Sequence, residues 1–193
     1  MAEETQVTSR TIDGVELPAA GNYAIDTSHT YAGFTVRHMA VSKVRGRFSK
    51  VEGTLVVGED PLQSSVNVTI DAASVDTRDE TRDNHVRSAD FLDVEKYPTL
   101  TFVSTAVRSS GKGTWEVDSD LTIHGTTKPV TLDVSLEGVV QDPYGNHRTG
   151  FSASTQIDRE DFGVSFNAVM EAGGVVVSKK VQIEIEAEAV YQA

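Results

Sequence analysis

Apolar and polar residues alternate along most of this chain. In 32–38, Ala32, Phe34, Val36 and His38 share one face while Gly33, Thr35 and Arg37 share the other, the two-residue period of a half-buried strand. The run 44–57 continues in the same manner, with Gly46 and Gly53 placed where strands bulge or bend. Val66, Val68 and Ile70 oppose Asn67, Thr69 and Asp71. Leu100, Phe102, Ser104 and Ala106 form one row, and Trp115, Val117, Ser119, Leu121 and Ile123 another. Val130, Leu132, Val134 and Leu136 follow, then Phe151, Ala153 and Ile157, then Val181, Ile183, Ile185, Ala187 and Ala189. Turn residues separate the runs at 58–61, 109–113, 124–129 and 142–146.

The alternation fails over 75–98. Thr77-Arg78-Asp79-Glu80 has the form of a capping box, and Asp79, Glu80 and Asp83 put negative charge where a helix N-terminus favours it. Asp83 and Arg87 stand at i,i+4 spacing. Apolar residues are sparse, so this is a flap resting one short edge on the body of the protein. Tyr97-Pro98 ends it. Segment 159–174, glycine-bearing and irregular, reads as a wide turn or short helix.

Many strands joined by hairpin turns specify an antiparallel all-β protein. A sandwich and a barrel both satisfy the pattern. The length of the strands favours the barrel, because closure removes exposed edges. The expected fold is an extended, lipocalin-like antiparallel barrel with one helical insertion near 78–95. Residues 1–20 read as a polar lead-in and 21–193 as the barrel domain. Small residues on the inward rows, Ala32, Gly46, Ser104, Ala106, Ser119 and Ala153, suit a barrel with an internal cavity.

Charge narrows the partners. The 193 residues carry a net charge of −12, which argues against nucleic acid, since phosphate binding needs clustered Lys and Arg. There is no cysteine, hence no disulfide, thiolate nucleophile or Cys-ligated metal. No run is apolar enough for a secretory leader or membrane span, so a cytoplasmic protein is expected. Against the acidic background, residues 27–51 contain no acid but hold Arg37, Lys43, Arg45, Arg47 and Lys50. That stretch suits an anionic headgroup, transient membrane contact or a docking face.

The chain resembles the YceI family over about 23–191. The motifs stand in order: Tyr23-Ala-Ile-Asp26 with His29; Phe34-Thr-Val-Arg-His38 with Gly46-Arg-Phe48; Thr77 with Arg82 through Phe91; Tyr97-Pro98 with Phe102; Leu121 through Gly125; and Arg159 with Asp161-Phe162-Gly163. The resemblance implies a lipocalin-like barrel whose long apolar cavity holds a polyisoprenoid or similar amphiphile, and often a homodimer.

Candidate ligand contacts are therefore the inward residues Phe34, Val36, His38, Phe48, Phe102, Trp115 and Phe151, with Arg37 and Lys43 at the rim. Each aromatic alone is consistent with core packing. His38 reads equally as a donor to a ligand group and as a satisfied core histidine. The five histidines lack metal-ligand spacing, and the sequence holds neither a nucleophile elbow nor a Gly-rich phosphate loop, so no metal, cofactor or catalytic residue is assigned. The expected function is sequestration or carriage of a long-chain isoprenoid-like lipid, a polyprenyl phosphate, a polyprenyl diphosphate or an isoprenoid quinone. The alternatives are an enzyme acting on such a bound molecule through His38, and a filled-core stress or interaction protein.

Overall fold

The computed structural model describes residues 9–171 and 173–193. Its strands are β1 (Ser9–Ile12), β2 (Val15–Pro18), β3 (Gly21–Ile25), β4 (Tyr31–His38), β5 (Ser42–Phe48), β6 (Val51–Val57), β7 (Ser65–Asp71) and β8 (Val75–Asp76). The helix α1 (Glu80–Arg87) follows. Then come β9 (Thr99–Gly111), β10 (Thr114–Ile123), β11 (Thr126–Gln141), β12 (His147–Asp158) and β13 (Val177–Gln192).

The strands close an eight-membered antiparallel ring, β3-β6-β7-β9-β10-β11-β12-β13 and back to β3. Closure depends on β13. One edge pairs with β12 along most of its length; the other pairs with β4 through 177–186 and with β3 through 189–192. β3 and β4 are thus two halves of one wall, broken at the turn Thr27–His29, where Asp26 accepts from the Ser28 amide. β5 and β8 extend the walls begun by β6 and β7.

The expected all-β barrel is present, with four corrections in detail. First, the helix is shorter than 78–95, and its cap is Asp79, which accepts from the Arg82 amide. Thr77 is not the cap: Arg78 takes a left-handed φ of 63°, which delays the helix start, and Thr77 turns to Asp83 instead. Second, Asp83 and Arg87 do not pair. Asp83 binds Thr77, and Arg87 donates to the Ala73 and Val75 carbonyls, tying the helix to the wall. Third, the lead-in contains a hairpin, β1 on β2, over Ser9–Pro18. Residues 1–8 lie outside the described residues.

The fourth concerns the small inward residues. A bulge between Asp118 and Ser119 shifts the β9–β10 register, so Val107 faces inward and Ala106 is exposed. Ser104 accepts from the Val66 amide, and Ser119 donates to the Val130 carbonyl. Gly46 lies beneath the Phe34 ring. Of the six, Ala32 and Ala153 line the interior.

Candidate ligand-binding cavity

The inward rows do not fill the barrel. They enclose a cavity of about 560 Å³ whose walls are almost wholly apolar. Its length is set by β9 to β13, and each strand contributes alternate side chains, as with Val181, Ile183, Ile185, Ala187 and Ala189 of β13. Many of these are only half-buried because they face empty space.

Phe34, Val36 and His38 on β4, Phe48 on β5, Phe102 on β9, Trp115 on β10 and Phe151 on β12 all lie on this wall. Arg37 reaches it at the end of β4. Lys43 does not: with Val44 turned inward, its neighbour points outward and is exposed, level with Arg37 across the β4–β5 pair. Arg45 and Arg47 face outward as well, and Arg47 pairs with Asp76 at 3.4 Å.

The ends of the cavity differ. At one, the β1–β2 hairpin caps the barrel. Leu17 is buried there, and the Arg10 guanidinium donates to the carbonyls of Gly58 and Glu59 and to the Glu59 carboxylate. At the other, α1 lies over the opening together with Phe162, Val164, Phe166 and Val176. His85, Phe91 and Phe166 meet there edge to face, with ring centres 5.0 to 5.3 Å apart. His85 Nε2 is 2.8 Å from Asp90 Oδ2.

Every ionisable side chain on the wall is basic: Arg10, Arg37, Arg82 and Arg159, with His38 and His85, and no Asp or Glu among the described residues. Arg37, Arg82 and Arg159 have no carboxylate within ion-pair distance among the described residues. Arg82 is aimed by Thr77, whose hydroxyl and carbonyl each accept at 2.8 Å. Arg159 is buried and donates only to neutral carbonyls, those of Val164 at 2.7 Å, Ser178 at 3.0 Å and Val177 at 3.3 Å. Burial pushes its pKa below the usual guanidinium range, against the opposing pull of Glu160 and Asp158. The Thr30 hydroxyl, also on the wall, is buried without a partner.

Arg10, Arg82, His85 and Arg159 escape a search for strand alternation. They sit in a lead-in, on a helix and in a turn, where no two-residue period assigns a face. Their one sequence signal is that Arg82, His85 and Arg159 fall inside the family motifs.

Outside the cavity, Asp26, His29 and Glu188 bring ligand-type atoms within 4.8 Å of one another. A guanidinium already occupies that position: Arg148 lies 2.7 Å from Asp26, 3.2 Å from Glu188 and 2.8 Å from Asp142.

Comparison with known proteins agrees with this architecture. The model of the YceI-like domain matches residues 23–189. A UPF0312 protein of Vibrio cholerae El Tor is 43% identical over 150 residues, covering 75% of this chain and 78% of the relative. One from Pseudomonas putida W619 is 38% identical over 176 residues, covering 90% and 88%. Among solved structures, Burkholderia cenocepacia BcnA superposes with a TM-score of 0.75 at 25% identity, covering 85% of this chain and 98% of that one. A polyisoprenoid binding domain from Saccharophagus degradans, implicated in plant cell wall breakdown, gives 0.69 at 14% identity, covering 90% and 100%, a likeness of fold. Motifs, barrel topology and a family match across nearly the whole chain lead to one assignment: the protein belongs to the YceI-like family.

Proposed function

We propose that this protein binds and sequesters one long-chain, isoprenoid-like lipid, with the tail along the barrel and an anionic head among Arg37, Arg82 and Arg159. The observation that carries this is the division of the cavity wall: apolar along the strands, and purely basic where it is charged. Each methylene withdrawn from water contributes about 0.8 kcal/mol, so a tail of many carbons has ample driving force. Three arginines lacking carboxylate partners favour a phosphate or diphosphate head over the neutral ring of a quinone. The polyisoprenoid binding domain of Saccharophagus degradans supports the ligand class by analogy of fold.

The role is binding rather than catalysis. Its purpose is carriage or protection of a molecule that water rejects, with a homodimer as the working assembly and the cytoplasm as the expected compartment. Light scattering and fractionation of the host read those two.

Native mass spectrometry of protein purified from its own host, followed by organic extraction, tests the proposal. A stoichiometric polyprenyl phosphate is expected. An empty barrel that takes up no added polyprenyl phosphate, polyprenol or quinone overturns it. Uptake of quinone in preference to the phosphate overturns the anionic head.

A further inference from the structure

A lipid whose tail fills a barrel must enter and leave without exposing that tail to water. The helix end of the cavity bears a feature that neither the cavity nor the fold requires. Val41, at the β4–β5 turn, is 80% exposed, and Val169, in the loop before β13, is 83% exposed. Met39, Phe166 and Val175 are exposed beside them.

These residues belong to two loops that are joined. The Met39 amide donates to the Val176 carbonyl at 2.8 Å, and Val169 pairs with Val175 in an antiparallel bridge. His38 and Val177 are partners in the sheet just beneath, and both line the cavity. The two loop tips therefore form one apolar lip bordering the opening. Met39 and Ala40 hold left-handed φ values of 47° and 59°, so the tip is a tight turn that presents Val41 outward.

Charge beside the lip identifies its partner. Lys43 and Arg45 lie on the outer face of β5 immediately after the turn, and neither has a carboxylate within ion-pair distance among the described residues. Lys179 and Lys180 are nearby but are held by Glu160 and Asp158. Exposed acids stand on the loop side of the lip, Asp161 and Glu171, and on the flap over the opening, Glu80 and Asp90, the last 2.8 Å from His85, so the attraction is concentrated on the β5 side.

We propose that this lip is a docking surface for an anionic lipid bilayer, through which ligand passes between membrane and barrel. It rests on the lipid-binding reading above. A second copy of the chain is the poorer occupant. A stable pair buries roughly 1,200 to 2,000 Å², more than five side chains on two loop tips supply. Shallow insertion into a bilayer needs only the tips, with cations held at headgroup level.

Flotation of the full chain with vesicles tests this, comparing pure phosphatidylcholine with an equimolar mixture of phosphatidylcholine and phosphatidylglycerol. The protein is expected to float with the mixed vesicles and to bind less as salt is raised. Val41→Asp and Val169→Asp are each expected to reduce binding about tenfold. Lys43→Gln and Arg45→Gln each reduce it about fivefold, on the anionic vesicles alone. All four positions are exposed, so the melting temperature should not change, whereas the lipid content after purification should fall along with membrane binding.

The proposal is overturned if the protein fails to float, if the aspartate variants float as well as the parent, or if those variants instead dissolve a dimer seen by light scattering. A protein that floats but never carries an isoprenoid leaves the docking surface standing and removes the proposed function.

Discussion

Asp83 shows how much one side chain organises here. It is a buried carboxylate whose Oδ1 accepts from both the amide and the hydroxyl of Thr77, at 2.7 and 2.6 Å. Thr77 in turn aims Arg82 at the cavity. Asp83→Ala leaves a buried amide unpaired, at a cost of about 1 to 3 kcal/mol. Urea unfolding should read that loss, and phosphate-headed ligands should bind less tightly as Arg82 is released. Arg148 carries a second prediction. The Ser28 hydroxyl and then the Arg148 guanidinium at Asp26, and the guanidinium and then Asn146 at Asp142, hold both carboxyls well below the usual carboxylate range. Groups depressed in this way stabilise the fold above the unfolded carboxylate value of about 3.9, and that stabilisation is lost as pH falls through the lower native values. Arg148→Gln is therefore expected to unfold at lower urea than the parent at neutral pH, with the gap closing only in strong acid. A gap independent of pH refutes the assignment. The sequence pattern conveyed which strand residues face inward because alternation is a local property. It did not convey the pairing of Thr77 with Asp83, since Thr77 also opens a capping-box pattern with Glu80; the left-handed turn at Arg78 decides between the two uses.

Among the elements, the walls were legible and the ends were not. Phe34, Phe102, Trp115 and Phe151 fall on the cavity side because their strands keep phase. Phase is lost where β9 bulges, which put Ala106 on the wrong face in the sequence reading. The hairpin at Ser9–Pro18 is too short to announce itself, and its stability comes from contacts remote in sequence, such as Arg10 with Gly58 and Glu59. Close approach of backbone to ring is the other hidden element-level device. A Cβ at Gly46 would overlap Cζ of Phe34. Gly46→Ala must push that ring into the cavity or part β4 from β5. Overpacking of this kind costs about 1 to 3 kcal/mol, read as a lower melting temperature, and reduced ligand uptake should accompany it.

For the whole molecule, an unfilled apolar interior is the central physical fact. The cavity lacks the dispersion contacts a filled core would have, and an occupant restores them. Ligand at about a hundred times its dissociation constant should add about 2.7 kcal/mol of stability, raising the melting temperature by several degrees. Trp115, the single tryptophan, stands on the cavity wall, so its emission is expected to shift to shorter wavelength or to quench when lipid packs against it. Ala153→Phe places a ring in the same space. It should reduce uptake at least tenfold while leaving the fold intact, because the interior has room for it.

The two-sided pairing of β13 has a consequence for how the molecule is made. Its partners on one edge, β3 and β4, are synthesised long before it, and β13 only after all the other strands of the described residues. At ordinary translation rates the interval is on the order of ten seconds. Throughout it β3 and β4 present an unpaired edge, β12 adds a third once it is made, and the apolar interior stands open. A chain stalled or cut before Val177 is thus an open sheet with three adhesive borders, and a natural client for chaperones. Loading with lipid belongs after β13 has paired, since the vessel has no second side until its last stave is in place.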